Sequence, residues 1–379
     1  MTKRLKQLRK DCSLLRAATL KNKQEDISLW YRKKSKIYGV DNVGQASPSL
    51  TRTDSAVGLG IIVGATDITS DFDRCYPWSD MQEVMDEHDN VFIKIPKFYS
   101  KITKNANGTY KHQISCYRYD GFSTLFVDGK GNEIDYVLVG KYEASGTSAR
   151  AYSKKGQTCL VNVTLPQMRT ACMANGEGYL QYDFLIDAII KELWLIEMAT
   201  TDCQSIMKGY TSYENSAALT TGHTDDVKTA SGSPTSNTTG TYACKYRGIE
   251  NPWGNIYKWC DGINFNGTKV YICLDPEKYE SDKYESPYVY MGDRGDNMGG
   301  YVSKVEYFAK FPLLGYSTEY SADGTTYYAD YGADYGGTVL LVGGRWSGGD
   351  NAGLWDGYGS DGSSSSCSLI GGRLCYKPL

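Results

Sequence analysis

An α+β fold is the class this sequence predicts, on three observations. Short alternating or continuous apolar runs, rich in Tyr, Val and Ile, recur from Asn90 onward. Only two segments, opening at Leu165 and near Tyr182, carry helical periodicity. Clusters of Gly, Ser, Asn and Asp separate most of the runs. Strands around two central helices, with long loops on one side, make an α+β domain. The 32 Tyr against 9 Phe agree, because Tyr favours strands and amphipathic surfaces.

Residues 1–36 are expected to form a basic N-terminal helix or neck. Leu5, Leu8, Cys12 and Leu15 fall at a/d spacing over two heptads. So short a stripe fits either a self-associating neck or a single amphipathic helix lying on its own body. This segment holds 12 Lys/Arg and 3 Asp/Glu, a net of +9, and the remainder has 29 basic and 41 acidic residues, a net of -12. A basic leader on an acidic body favours docking to an acidic partner, or to itself, over nucleic acid.

Residues 37–89 read as a small β-rich leader, since Tyr38–Asp80 is dense in turn formers. The main domain spans 90–379. Its first strands are Val91–Ile95, Phe98–Ile102, Tyr110–Tyr117 and Tyr136–Tyr142, with a turn at Asn107-Gly108. A helix opens at Leu165, capped by Thr164 with Pro166 in its first turn. A second, about Tyr182–Thr200, aligns Leu185, Ile189, Leu193 and Ile196, a face broadened by Ile186, Ile190 and Trp194. So wide an apolar face belongs against a sheet. Residues 211–241 are rich in Ser, Thr and Gly and read as a long surface loop. Further strands and turns follow at Gly248–Gly262, Lys269–Leu274, Tyr288–Tyr290 and Val302–Phe308. Val339–Val342 and Leu369–Tyr376 are the last two strands.

Several functions are disfavoured. Met1–Lys10 is basic with no apolar stretch behind it, which argues against a signal peptide, and Val57–Ala65 is too short to span a bilayer. Eleven cysteines without paired metal spacing suggest reduced thiols made in a cytoplasm. His88, His112 and His223 stand far apart, so no metal site is expected. Acidic residues around Asp275–Glu285 would suit calcium but lack its loop spacing, and a solvated acidic face is the better reading. Arg294-Gly295-Asp296 reads as a turn. Four Asn-x-Thr sequons carry little weight without a secretory signal.

The tail from Leu341 is the most informative segment. Gly343-Gly344-Arg345-Trp346 and Gly371-Gly372-Arg373-Leu374 bracket a stretch of Gly, Ser, Asp and single aromatics. Such a composition cannot bury a core, and it resembles a paratope of adaptable polar residues with isolated aromatic anchors. Strand-like segments hold both of its ends.

Two motifs then carry a family resemblance. Arg247-Gly248-Ile249-Glu250-Asn251-Pro252-Trp253-Gly254-Asn255-Ile256-Tyr257-Lys258-Trp259 resembles a signature of the formylglycine-generating-enzyme branch of the C-type lectin fold. Gly343–Leu379 resembles the variable region of diversity-generating-retroelement proteins, which use that branch. Val139–Ser145 and Leu165–Thr170 support the match, which covers about residues 90–379. Ser47-Pro48 and Tyr76–Asp80 are similar to leader regions of phage tail proteins. The resemblance implies a C-type lectin-like fold and a tail, about 343–376, rewritten at adenines of Asn codons. Ser347, Gly348, Asp350, Asp356, Tyr358, Ser360, Asp361 and Cys367 are reachable from such codons, and Trp355 and Ser368 complete the expected ligand-binding positions. Gly343, Gly344, Arg345, Trp346, Ala352, Gly353, Leu354, Gly371, Gly372 and Arg373 match the fixed frame, supported by Trp253, Gly254, Asn255 and Trp259. Trp346, Leu354 and Trp259 are the expected core anchors. The implied protein is a homotrimeric phage tail-tip protein in the virion, made in the bacterial host cytoplasm. It binds a protein or glycan on a host surface, with no cofactor, membrane insertion or catalysis. A cysteine oxidase using Cys367 and Cys375 is the rival from another class, and a diversified bacterial surface protein is a third reading.

Overall fold

A computed structural model of the chain describes residues 36–44, 49–294, 298–321 and 328–378. The a/d stripe at Leu5–Leu15, the Ser47-Pro48 pair and Gly295-Asp296 lie outside the described residues. Helix α1 spans Leu165–Met173 and helix α2 spans Phe184–Met198. Thr164 and Gln167 cap α1 reciprocally: the Gln167 amide N–H donates to Thr164 Oγ1 at 3.3 Å and the Thr164 amide N–H donates to Gln167 Oε1 at 3.0 Å. Asp183 opens α2 by accepting the Ile186 amide N–H at 2.9 Å, and Ala199 closes it in the left-handed conformation.

All of α2 except Ala188 and Lys191 is buried, so it is a core helix and not an amphipathic one. It packs on the sheet ordered Thr51–Asp54, Ile37–Val43, Tyr110–Ser115 and Tyr99–Lys104, as its broad apolar face requires. On another side it meets the strand Phe311–Ser321. That strand belongs to a sheet of seven strands among the described residues. Their order is Phe311–Ser321, Met298–Phe308, Tyr331–Asp334, Gly357–Tyr358, Leu340–Val342, Tyr257–Cys260 and Ile370–Gly371. Three of these strands therefore come from the tail. A five-stranded sheet receives a fourth tail strand, Leu374–Tyr376, between Tyr179–Gln181 and Tyr136–Gly140.

The described residues are mostly β-sheet with few helices, and the α+β expectation overstates the helical share. Three other readings change. Residues 37–89, expected as a separate leader, contribute strands to three sheets: Ile37–Val43 pairs with Tyr110–Ser115, Asp67–Ser70 with Ser231–Gly232, and Gln82–Met85 with Val91–Pro96. Phe72, Trp78 and Tyr38 form an aromatic cluster in the shared core, with the first two rings 4.6 Å apart. Turn density obscured this, because the strands are short and find their partners far along the chain. The 211–241 segment is irregular but anchored: Glu250 accepts from the Gly222 and Thr224 amides and the Thr224 hydroxyl at 2.7–2.8 Å. Phe311–Ser321 is an eleven-residue strand that Pro312 and Gly315 disguise in the sequence.

Candidate functional site

The tail leaves the seven-stranded sheet at Val342 and re-enters it at Gly357, and every intervening turn is fixed through its backbone. Gly344 has φ +73°, and a Cβ there would overlap Ala352, so only glycine serves. The Trp346 amide N–H donates to the Asn255 carbonyl at 2.8 Å, and Asn215 Nδ2 donates to the Trp346 carbonyl at 2.8 Å. Gln204 Nε2 donates to the carbonyls of Gly349 and Ala352 at 2.9 and 2.7 Å. The Trp355 amide N–H donates to Asp330 Oδ2 at 2.8 Å. Downstream, the Asn162 amide N–H donates to the Cys367 carbonyl at 3.0 Å, and Tyr257-Lys258 pairs in parallel with Ile370-Gly371.

The Glu250–Trp259 motif forms the buried support. Trp253 stacks edge-on against Trp194 of α2 at 5.1 Å. Asn251 and Asn255 both donate to the Glu143 carboxylate, and Trp259 Nε1 donates to the Val163 carbonyl at 3.0 Å. Arg373, 1% exposed, turns its guanidinium onto four carbonyls, those of Gly140, Lys141, Glu250 and Asn251, at 2.6–3.1 Å. One side chain thus joins the tail to both motif segments. Burial pushes the Lys258 ammonium down to about 8, partly opposed by Glu143.

Gly343, Gly344, Gly353, Leu354, Gly371, Gly372 and Arg373 are buried, as are Trp253, Gly254, Asn255 and Trp259. Asp350 and Ser368 are exposed, while Ser347, Gly348, Tyr358, Ser360, Asp361 and Cys367 are half-buried. Three residues depart from expectation. Trp355 and Asp356, expected as outward ligand-binding positions, are 8% and 2% exposed. They lie on the inner side of the turn that Asp330 holds, with the Trp355 ring 5.9 Å from Tyr328. Burial raises the Asp356 carboxyl well above the usual range, while Arg345 and Lys258 pull it back. Trp346, expected as a core anchor, is half-buried like Arg345, because the Gly343-Gly344 turn carries it to the surface.

The surface also includes residues outside the tail. Tyr213 is 71% exposed, and its ring fills the space where a Cβ on Gly349 would stand. Tyr335 is 53% exposed, with its amide N–H donating to Ser360 Oγ at 3.1 Å. Tyr358 lies 5.8 Å from Tyr257, over which Arg345 sits at 5.9 Å. Lys208 pairs with Asp350 at 3.0 Å. The Gly-rich run Tyr331–Gly337, compositionally like the tail, was the available signal for Tyr335; Tyr213 had none beyond its Ser/Thr-rich loop.

Aromatic faces, hydroxyls and isolated charges suit recognition through stacking and hydrogen bonds. Reactive chemistry fits poorly: Cys375 is fully buried, and burial pushes its thiol up to about 12, away from the nucleophilic thiolate. Among the described residues no group of three or more His, Cys, Asp or Glu converges to hold a metal ion. No helix among them is long and apolar enough to cross a membrane.

No protein-family model matches the chain, and no curated protein does. Solved structures it aligns with include variants of the Major Tropism Determinant and a variable protein. The Major Tropism Determinant U1 Variant aligns at 11% identity and a TM-score of 0.33, covering 91% of this chain and 72% of that one. Treponema denticola variable protein 1 aligns at 11% identity and a TM-score of 0.37, covering 79% and 99%. The I1 variant of the tropism determinant aligns at 12% identity and a TM-score of 0.32, covering 91% and 72%.

Proposed function

We propose that this chain is a ligand-binding protein diversified by a retroelement, with a C-type lectin fold of the formylglycine-generating-enzyme type. It displays its tail on a bacteriophage tail tip as a homotrimer and binds a protein or glycan on a host surface without catalysis. The observation that carries this reading is the division within one tail. Tail backbone positions are held by Asn215, Gln204 and Asp330, and Arg373 ties the tail to four carbonyls outside it, while Ser347, Asp350, Tyr358, Ser360, Asp361 and Ser368 keep surface side chains. Substitutions at such positions change contacts without repacking the core. Rewriting of the tail is tested in the flanking DNA. An adjacent reverse transcriptase gene and a near-copy of the tail-coding repeat are expected, and neighbouring tail genes would separate the virion from a cell-surface setting. A library randomised at those six positions should yield folded members with altered binding to bacterial surfaces; if the members unfold, the division of labour is wrong.

A further inference from the structure

Four tyrosines outside the tail line up beside it. Tyr301 of Met298–Phe308 lies opposite Tyr331 of Tyr331–Asp334, with ring centroids 5.8 Å apart. Ala333, two residues on, lies opposite Tyr358 of the tail. Residues opposite one another in a ladder, and residues two apart along a strand, project from one face, so Tyr301, Tyr331 and Tyr358 share it. Tyr335 continues the same alternation and shares a side-chain hydrogen bond with Tyr331. At the other end, burial raises the Tyr301 hydroxyl above its ordinary pKa, and Tyr213 and Asp350 add to the shift, which places both near it.

Two glycines seat the outer rings. A Cβ on Gly299 would collide with the Tyr335 phenol, as one on Gly349 would with Tyr213. Each ring therefore lies on bare backbone, supported from below, while Tyr213 and Tyr335 stay 71% and 53% exposed. Rigid aromatic side chains positioned before contact bind at small entropic cost. Neither the cavity against α2 nor the one beside Lys377 is lined by any of the five rings. Small ligands take concave sites, whereas an open face with central aromatics and a polar rim, here Asp350 and Ser360, suits a protein.

We infer that Tyr213, Tyr301, Tyr331 and Tyr335 form a constant part of the binding surface, one that touches a protein partner whichever side chains the tail carries. This rests on the proposed reading of the tail as a diversified ligand-binding segment, and adds a contribution that diversification leaves unchanged.

The test uses the full chain randomised at the six tail positions, selected against lysozyme as a protein probe and, in parallel, against immobilised mannan as a glycan probe. Lysozyme binders with unrelated tails are expected, and Tyr213→Ala or Tyr335→Ala should weaken most of them by about tenfold each in biolayer interferometry. Tyr335→Phe should retain most of the binding, because the ring carries the contact. Ile62→Ala, at an exposed apolar residue on another sheet, should change nothing. Lysozyme binders indifferent to both alanine variants would overturn the proposal and leave the diversified tail standing. Binders to mannan alone would overturn the protein partner. A library without binders to either probe overturns the reading of the tail, and this proposal falls with it. Thermal unfolding checks that each variant is folded; the two alanine sites are independent, so if one variant unfolds the other decides.

Discussion

Asp350 and Asp356 stand six positions apart and have opposite surroundings. Asp350 is exposed and pairs with Lys208, and surface substitutions of this kind change stability by about 0.5 kcal/mol or less. Asp356 is buried beside Tyr257 and Arg345, so Asp356→Ala, which strands those partners, should cost about 1–3 kcal/mol. Urea unfolding of the two alanine variants measures the contrast; equal losses would contradict it. Asp330 gives a pH signature. Burial raises its carboxyl well above the ordinary range, although the Trp355 amide opposes the shift. The folded state therefore holds the proton more tightly than the unfolded chain. The stability this supplies is complete below the usual carboxylate pKa and is lost as pH rises through the elevated folded value. Asp330→Asn keeps an acceptor for the Trp355 amide and abolishes the titration. Unfolding followed from about pH 4 to about pH 8 should show a shallower decline in the variant. An unchanged slope would mean that Asp330 does not titrate in that window.

At the scale of elements, the junction between α2 and the tail rests on Asp183. Its carboxylate caps α2 through the Ile186 amide, accepts the Tyr279 hydroxyl at 2.8 Å and pairs with Lys377, itself 1% exposed. An ordinary cap contributes about 1 kcal/mol. Asp183→Ala would also leave the Lys377 ammonium buried and unpaired, so a loss of about 3–5 kcal/mol is expected. Adding Lys377→Met should recover part of it; if thermal unfolding shows no recovery, the ion pair is not the source. Both helices were legible in the sequence, the first with its Thr164 cap, because capping acts over three residues and needs no knowledge of the fold. Strands that alternate, such as Val91–Pro96 and Tyr110–Ser115, were legible too. Phe311–Ser321 was not, since its pairing with Met298–Phe308 overrides an unfavourable Pro and Gly. Within the tail, burial followed residue size and polarity except where it depends on the turn. Asp356 reads as a polar surface residue, and only the fold shows that it faces inward.

For the whole molecule, the proposed assembly sets the next expectation. A single tail presents few side chains, so one copy binds modestly, and linked copies raise avidity by about 10²–10⁴. A homotrimer is expected from light scattering on the full chain, and a variant lacking residues 1–36 should dissociate. If both are monomers at micromolar concentration, multivalency fails. The boundary drawn at residue 89 shows the limit of reading domains from composition: turn-rich segments look like linkers, yet Asp67–Ser70 pairs with Ser231–Gly232, far along the chain.

Leu374–Tyr376 is an inner strand of a five-stranded sheet, and Arg373 beside it gathers carbonyls from Gly140, Lys141, Glu250 and Asn251. A nascent chain therefore cannot close its core until residues 370–378 have cleared the ribosome. A premature stop codon or a shifted reading frame anywhere in the tail leaves a gap in that sheet between Tyr179–Gln181 and Tyr136–Gly140, and not a frayed end. Translation errors there are exposed as misfolding, so the segment that the proposed function leaves free to vary is also the one whose intact reading frame the fold proofreads.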